Sequence, residues 1–589
     1  MNIKTASILY CEVLVAGSGL AGLRAAKDLN DKGIKTILLS RGPLCSGSSF
    51  YPLTAALGSQ NPASEEDKKD YLEEVLTTGC TVADEKLVKM IIDRIPGEIG
   101  RLSDLSIEPK RLYAGRPACF AKKERLLYSW GGWDRIREGV KKTFAALPHV
   151  RVMEYADLLY LHKEDGKIVG ALIADADGSV HFVRTGAVIL ATGGTCGLYK
   201  HSLNVNETVG SGHSAALAAG AELINMEFLQ FIPGFTKPVY KLLFSETTLR
   251  RAVSVKNADG EDALSDYIKA HGNGDTLSEC LWDRALHGPF TTEDASKYFD
   301  LSLMEDARKN HRECGFEIRF DPAIKADDNG FIVKAREMYE PYGIDLSKDP
   351  IWLSSFAHCA NGGIRVNEKA ETNVPGLYAA GEAAGGIHGA DRHGGMATSA
   401  ALVFGAIAAK SAAEYVKKTA CPADCREATG QPCLTTAAQQ DPAKAALAEF
   451  SAFLAAGSGK PASMAGNMPA QASAETGKDV SPQEVLTRLA KSLWYNANAL
   501  RSEESLSETL ALVETLSRTY DAGKVIEEGG DLREAVKAFH ALRAARAMVM
   551  AMLCRRESRG PHFRSDCPEK DAAMDGKRIV ITENGCQVI

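Results

Sequence analysis

The stretch Val13–Gly22, VLVAGSGLAG, decides how this chain folds. Three β-favouring residues lead into Gly17-x-Gly19-x-x-Gly22, and Leu23, Ala26, Lys27, Leu29 and Asn30 follow with helical spacing. Gly17 permits a tight strand-to-helix turn, and Gly19 lets the backbone come close to a pyrophosphate. Gly22 lets the helix lie close on the strand, while the helix N-terminus favours the diphosphate charge. A second strand, Thr36 to Leu39, completes the βαβ context that a lone glycine motif lacks. The acidic residue expected about 20 residues on, for the ribose hydroxyls, is here Ser40. That substitution argues against a standard NAD site and favours FAD.

The chain has 589 residues, too many for one core, so several domains are expected. Its net charge of −7 carries no basic stripe, which argues against a nucleic-acid partner. No apolar run approaches the ~18 residues of a membrane span, and the N-terminus enters a strand with no room for a cleavable signal. A cytoplasmic protein is the expectation. The 14 cysteines are scattered without C-x-x-C pairs, so they read as mostly reduced thiols and not as a metal site. Cys421, Cys425 and Cys433 form the one cluster, in a polar linker.

After the first βαβ, Arg41 to Gly58 is a small-residue loop able to lie against a flat ring. Arg41, Gly47, Ser48 and Ser49 are its candidate cofactor contacts. Helices are expected over Glu65–Thr77 and Asp84–Leu105, then a loop and helix over Leu126–Phe144. Val150–Glu154, Ala156–Lys163, Ile168–Ala174 and Val180–Val183 read as a small antiparallel sheet with Asp-Gly turns. Ala187–Gly194, AVILATGG, is a wholly apolar strand ending in glycines, and returns to the nucleotide-binding sheet. Gly210–Leu223 is an alanine-rich helix. From about Phe235 to Ser355 the βαβ rhythm is lost, as for a domain inserted into the first. The sheet resumes at Gly376–Glu382, followed by His388–Gly395, HGADRHGG, and an apolar helix over Ala397–Ala412. Cys421 to about Ser481 is Ala/Gln/Pro/Ser-rich and reads as a linker or an insertion. Pro482–Asn498, Ser505–Tyr520 and Leu532–Arg555 show 3.6-residue apolar spacing and end in a polar tail.

Taken together, GSGLAG, the Gly/Ser loop, LATGG, Asn225–Phe231 (NMEFLQF) with Pro233, His358-x-x-x-Gly362-Gly363, GLYAAGE, HGADRHGG and Cys554–Pro568 resemble one family. It is the flavoprotein family of succinate dehydrogenase, fumarate reductase and L-aspartate oxidase, and the resemblance covers nearly all of the chain outside 421–481.

The resemblance implies an α/β architecture: a Rossmann-like FAD-binding domain in two parts (1–234 and 356–420), interrupted by an α+β capping domain (235–355). The 421–481 linker and a C-terminal helical domain with its tail (482–589) would follow. It implies hydride exchange between the flavin N5 and a small carboxylate. Gly17, Gly19 and Gly22 would lie at the pyrophosphate, with Ser40 matching a serine common there. Thr192, Gly193 and Gly194 would lie near the dinucleotide, Glu382 at the ribityl chain and His388 near the flavin. Arg392 matches an arginine that clamps a substrate carboxylate, a task for a planar fork, and His358 a histidine that donates to it.

The departures also carry information. Ser48-Ser49-Phe50-Tyr51 stands where covalently flavinylated members have a histidine, so FAD is expected to be held noncovalently. Ile232 replaces the substrate histidine of the family's Q-F-H-P motif and can offer no hydrogen bond. No arginine aligns with the family's proton-delivering one in the capping domain, leaving Arg284 and His287 as candidates. The expected function is a fumarate reductase/succinate dehydrogenase-like FAD oxidoreductase. The alternatives are an L-aspartate oxidase-like enzyme and an electron-transfer subunit docked on an iron–sulfur partner.

Overall fold

The computed structural model describes residues 5–51, 58–113, 117–419, 441–457 and 480–589. At its centre is a five-stranded parallel sheet, in the order Leu377–Ala379, Ala187–Leu190, Val13–Ala16, Thr36–Ser40, Val150–Glu154. The three central strands are buried along their whole length, as a sheet covered on both faces requires. Val150–Glu154, expected in the antiparallel sheet, instead runs parallel to Thr36–Ser40 with Thr36 opposite Val150. The helix Trp133–Ala145 precedes it and supplies the crossover a parallel strand needs; alternation along a strand does not name its partner.

The antiparallel sheet forms from Asp157–Glu164, Lys167–Ala174 and Val180–Arg184, with Thr5–Tyr10 added in parallel at the edge. The helices Leu20–Asp31 and Met396–Lys418 pack together, and a side chain at Gly405 would sit 2.6 Å from the Ala21 carbonyl. Among the described residues, Met396–Lys418 is the helix long and apolar enough to cross a membrane, a correction to the sequence reading. Two-thirds of that apolar window is buried inside this protein's core.

The stretch expected as an insertion contains most of an antiparallel sheet, Leu229–Lys237, Ile351–Ala360, Phe316–Phe320 and Ala252–Lys256 in that order, the first strand starting before residue 235 and the second ending after residue 355. It also contains the helices Ala263–His271, Leu277–Arg284, Lys297–Asn310 and Gly330–Tyr339. The helices Pro482–Asn496, Glu503–Thr519 and Leu532–Cys554 then pack on one another, each with its N-cap serine or aspartate in place.

Two readings are corrected here. Within the expected linker, Asp441–Ala455 is a helix whose Ala446, Phe450 and Leu454 are buried. Phe453 meets Phe539 edge-on at 4.8 Å, and alanine-rich composition had masked this apolar spacing. Cys421, Cys425 and Cys433 lie outside the described residues. The polar tail is also folded: Ile579–Thr582 and Gly585–Val588 form a hairpin that pairs with Leu223–Ile224. Buried Ile579, Val580 and Ile581 drive it, and the Cys554–Cys586 disulfide ties it to the last helix. That pair departs from the expectation of mostly reduced thiols.

Candidate active site

The glycine turn is built as its spacing demands. Gly17 has φ +110°, and a Cβ there would lie 2.2 Å from the Ala191 carbonyl oxygen. A Cβ at Gly22 would meet the Gly17 oxygen at 1.8 Å, so Gly22 serves strand–helix packing. At Gly19, by contrast, the nearest neighbour is the Ser49 hydroxyl at 3.3 Å, and the space beyond is a groove. No side chain caps the helix that starts at Leu20; its Leu20 amide donates to Ser49 Oγ at 3.3 Å.

That groove has a volume of about 560 Å³ and runs from the glycine turn past Ser40, Arg41 and the Gly47–Ser49 turn to Thr192, Gly193 and Glu382. Ser40 and Ser18 share a hydrogen bond of 2.6 Å at its edge, and Arg41 is held by Asp157 at 3.2 Å. Gly194 lies just outside, where a Cβ would come within 2.4 Å of Glu382 Oε1. The bare position makes room for that carboxyl, which accepts from the Ala360 amide at 2.9 Å and whose pKa burial raises. The hydroxyls of Ser48, Thr192 and Ser211 are buried without a partner and line the same groove. Polar groups buried in this way call for a ligand. A bound dinucleotide would supply it, the open helix N-terminus suiting a pyrophosphate and the partnerless hydroxyls suiting sugar and ribityl hydroxyls.

A second cavity of about 340 Å³ joins the groove at Ser48, Ser49 and Glu382. One wall holds Arg392 and His358. Arg392 donates to His358 Nε2 at 3.3 Å and to the His393 carbonyl at 3.4 Å, while its Nε is buried without a partner. An arginine can only donate, so Nε2 accepts and the histidine proton sits on Nδ1. Burial, with Arg392 alongside, lowers the His358 pKa to about 3, so this ring is neutral at working pH. Among the described residues no carboxylate lies within 4 Å of the Arg392 guanidinium. The guanidinium lines the cavity as its buried positive charge.

The inserted segment supplies further lining of the cavity. Phe331, Lys334, Ala335 and Met338 line it from one face of the helix Gly330–Tyr339, with i, i+3, i+4 and i+7 spacing. Lys334 is the one charged group in that stripe, and burial lowers its pKa. Ile232 and Leu243 also line the cavity and pack with Leu203 and Phe356 into an apolar cluster. Glu246 completes the lining, with Cys119 Sγ 3.8 Å away.

Three expected residues lie elsewhere. Arg284 is fully buried in an ion pair with Asp300 at 2.8 Å and donates to the His287 carbonyl at 2.7 Å. His287 is stacked on Phe120 and bonded to Pro289 O and Asp294. Neither lines the cavity, so the proton-handling role read for them has no geometric support. His388 is buried with its pKa lowered to about 3, chiefly by burial, and lines neither the groove nor the cavity. Lys334 and Glu246 were missed. Neither stands in a motif, although the Phe331/Lys334/Ala335/Met338 spacing was there to be read.

Residues 12–398 match the family described as FAD binding domain, and residues 486–587 match the one described as Fumarate reductase flavoprotein C-term. A fumarate reductase (CoM/CoB) subunit of Methanothermobacter marburgensis is 26% identical, with 96% of each chain covered. L-aspartate oxidase of Caulobacter vibrioides is 28% identical over 97% of this chain and 96% of its own. Among solved structures, Sdh1 of Mycobacterium smegmatis superposes with a TM-score of 0.74 at 23% identity, covering 99% of this chain and 94% of that one. With the glycine turn, the partnerless groove and the matched domains all in one chain, the protein belongs to the FAD-dependent oxidoreductase family of fumarate reductase and succinate dehydrogenase flavoproteins.

Proposed function

We propose that the 340 Å³ cavity binds a small carboxylate beside the flavin, and that this chain reduces or oxidises it. The carrying observation is Arg392: a buried guanidinium, without a carboxylate partner among the described residues, that lines a cavity continuous with the dinucleotide groove. FAD, when bound, supplies the two-electron hydride chemistry.

The chain's own residues supply the rest. Arg392 clamps the carboxylate through its planar fork, and His358 Nε2 holds that fork in orientation. Ile232 and Leu243 receive an apolar end of the substrate and keep water out. Lys334, in the cavity lining, holds a proton at Nζ, and its lowered pKa makes that proton easier to give. Ser48 and Ser49, at the junction of groove and cavity, offer no covalent link to the flavin.

An L-aspartate oxidase-like activity is the second reading. The non-linking Ser48–Ser49 turn and the likeness to the Caulobacter enzyme support it. An iron–sulfur electron-transfer subunit is the partner proposed, since relatives carry the name of a fumarate reductase subunit. The cytoplasm is the proposed location. The deciding experiment is anaerobic: a panel of carboxylic acids is added to the oxidised and to the reduced protein, and flavin bleaching or reoxidation is followed by absorbance. Bleaching or reoxidation by one class of acid identifies the substrate. No response from any acid, with reoxidation only by an iron–sulfur protein, rejects the substrate-site reading.

A further inference from the structure

Asp391 precedes the substrate arginine and is buried, yet it does not face the cavity. Its Oδ2 accepts from Thr291 Oγ1 at 2.7 Å, and its Oδ1 is buried without a partner. Thr291 belongs to a strap, residues 288–294, whose Gly288 and Pro289 line the cavity. The strap is tied down on either side of this bond. Phe290 N donates to Phe231 O at 2.7 Å, and Thr292 N to Gly560 O at 2.9 Å. Gly560 N donates in turn to Glu293 Oε1 at 3.2 Å. The third segment closes over the carboxyl so tightly that a Cβ at Gly560 would lie 3.1 Å from Asp391 Oδ2.

We infer that Asp391 is a positioning residue: through Thr291 it ties the cavity wall at Gly288–Pro289 to the loop carrying Arg392, so that wall and arginine keep one spacing. The inference rests on the carboxylate site proposed above and adds what holds that site in register.

A pH dependence follows from the same burial. Burial raises the Asp391 pKa to about 7; Glu293 raises it further, and Thr291, His287 and the Gln230 amide oppose the rise. Cys80 also faces it, its own pKa raised chiefly by burial, and Glu293 is itself paired with Lys570. A carboxyl whose pKa is higher in the closed state than in water favours the open state once ionised. The strap is therefore held most firmly in acid, loosens as pH rises from the ordinary carboxyl value of about 4 to about 7, and changes no further above that.

The test uses the full-length holoprotein with Asp391→Ala, Asp391→Asn, Thr291→Val and the Thr291→Val/Asp391→Ala double variant. Amide exchange of residues 288–294, read by mass spectrometry without substrate, should accelerate about tenfold in Asp391→Ala and in Thr291→Val. KM for the preferred acid should rise by a similar factor, with smaller changes in kcat and full FAD content. The double variant should be no worse than either single one, since both remove the same bond. In the wild type, KM should rise between about pH 4 and pH 7 and level off above; Asp391→Asn, which cannot ionise, should lack that rise. Unchanged strap exchange in Thr291→Val, additive losses in the double variant, or a pH step that persists in Asp391→Asn would each overturn the inference. Because exchange is read without substrate, a wrong substrate assignment leaves it intact. Should Asp391→Ala fail to fold, Thr291→Val and Asp391→Asn decide alone.

Discussion

Replacing Arg392 by lysine tests the substrate site with little else disturbed. In the structure the guanidinium makes two hydrogen bonds, to His358 Nε2 at 3.3 Å and His393 O at 3.4 Å, and turns the rest of its fork to the cavity. Lysine offers one point charge on a shorter reach and cannot hold both carboxylate oxygens in a plane. Losing a buried charged partner of this kind costs about 2–5 kcal/mol, or about 30- to 4,000-fold in kcat/KM. Arg392 lines the cavity and not the dinucleotide groove, so FAD content should stay near that of the wild type. The assay is steady-state turnover of the preferred acid with a reduced dye as donor, alongside the flavin-to-protein ratio. A Lys variant with kcat/KM within about threefold of the wild type would refute the assignment. So would a loss of activity that merely follows loss of flavin.

Three further outcomes are expected. Ile232→His should move preference toward dicarboxylates by about one to two decades in kcat/KM, because a donor replaces an alkyl group beside the bound acid; efficient fumarate turnover by the wild type would show that another group, Lys334 foremost, already serves that end. Gly19→Ala should fold and lose FAD affinity, since the added methyl meets only Ser49 Oγ at 3.3 Å and points into the groove, whereas Gly22→Ala should fail to fold around a 1.8 Å clash; equal thermal stability of the two apoproteins would contradict this. Acid or heat should release free FAD, as Ser48 and Ser49 predict; flavin fluorescence that stays with the protein on a denaturing gel would count against it.

The dinucleotide groove was legible in the sequence because its requirements are local. Gly17 needs a positive φ, Gly22 needs closeness, and Ala187–Leu190 must be apolar along its length. These are statements about neighbours a few residues apart, so spacing alone reveals them. Arg392 and His358 were legible only through resemblance, since no local rule brings residues 34 apart to 3.3 Å.

The rest of the cavity lining was decided by tertiary structure. Lys334 enters it because one face of its helix is buried there, while Arg284, one of the two candidates read from the sequence, is spent on an ion pair with Asp300. The helix Asp441–Ala455 and the tail hairpin likewise exist because Phe450 and Ile579–Ile581 find distant apolar partners. Asp391 differs from its neighbours in the HGADR motif for the same reason. Its bond to Thr291 spans 100 residues, and a third segment, at Gly560, closes over its carboxyl. Backbone sterics act over a few residues and can be read from a string; burial and pairing act through space and are settled only once the chain has folded.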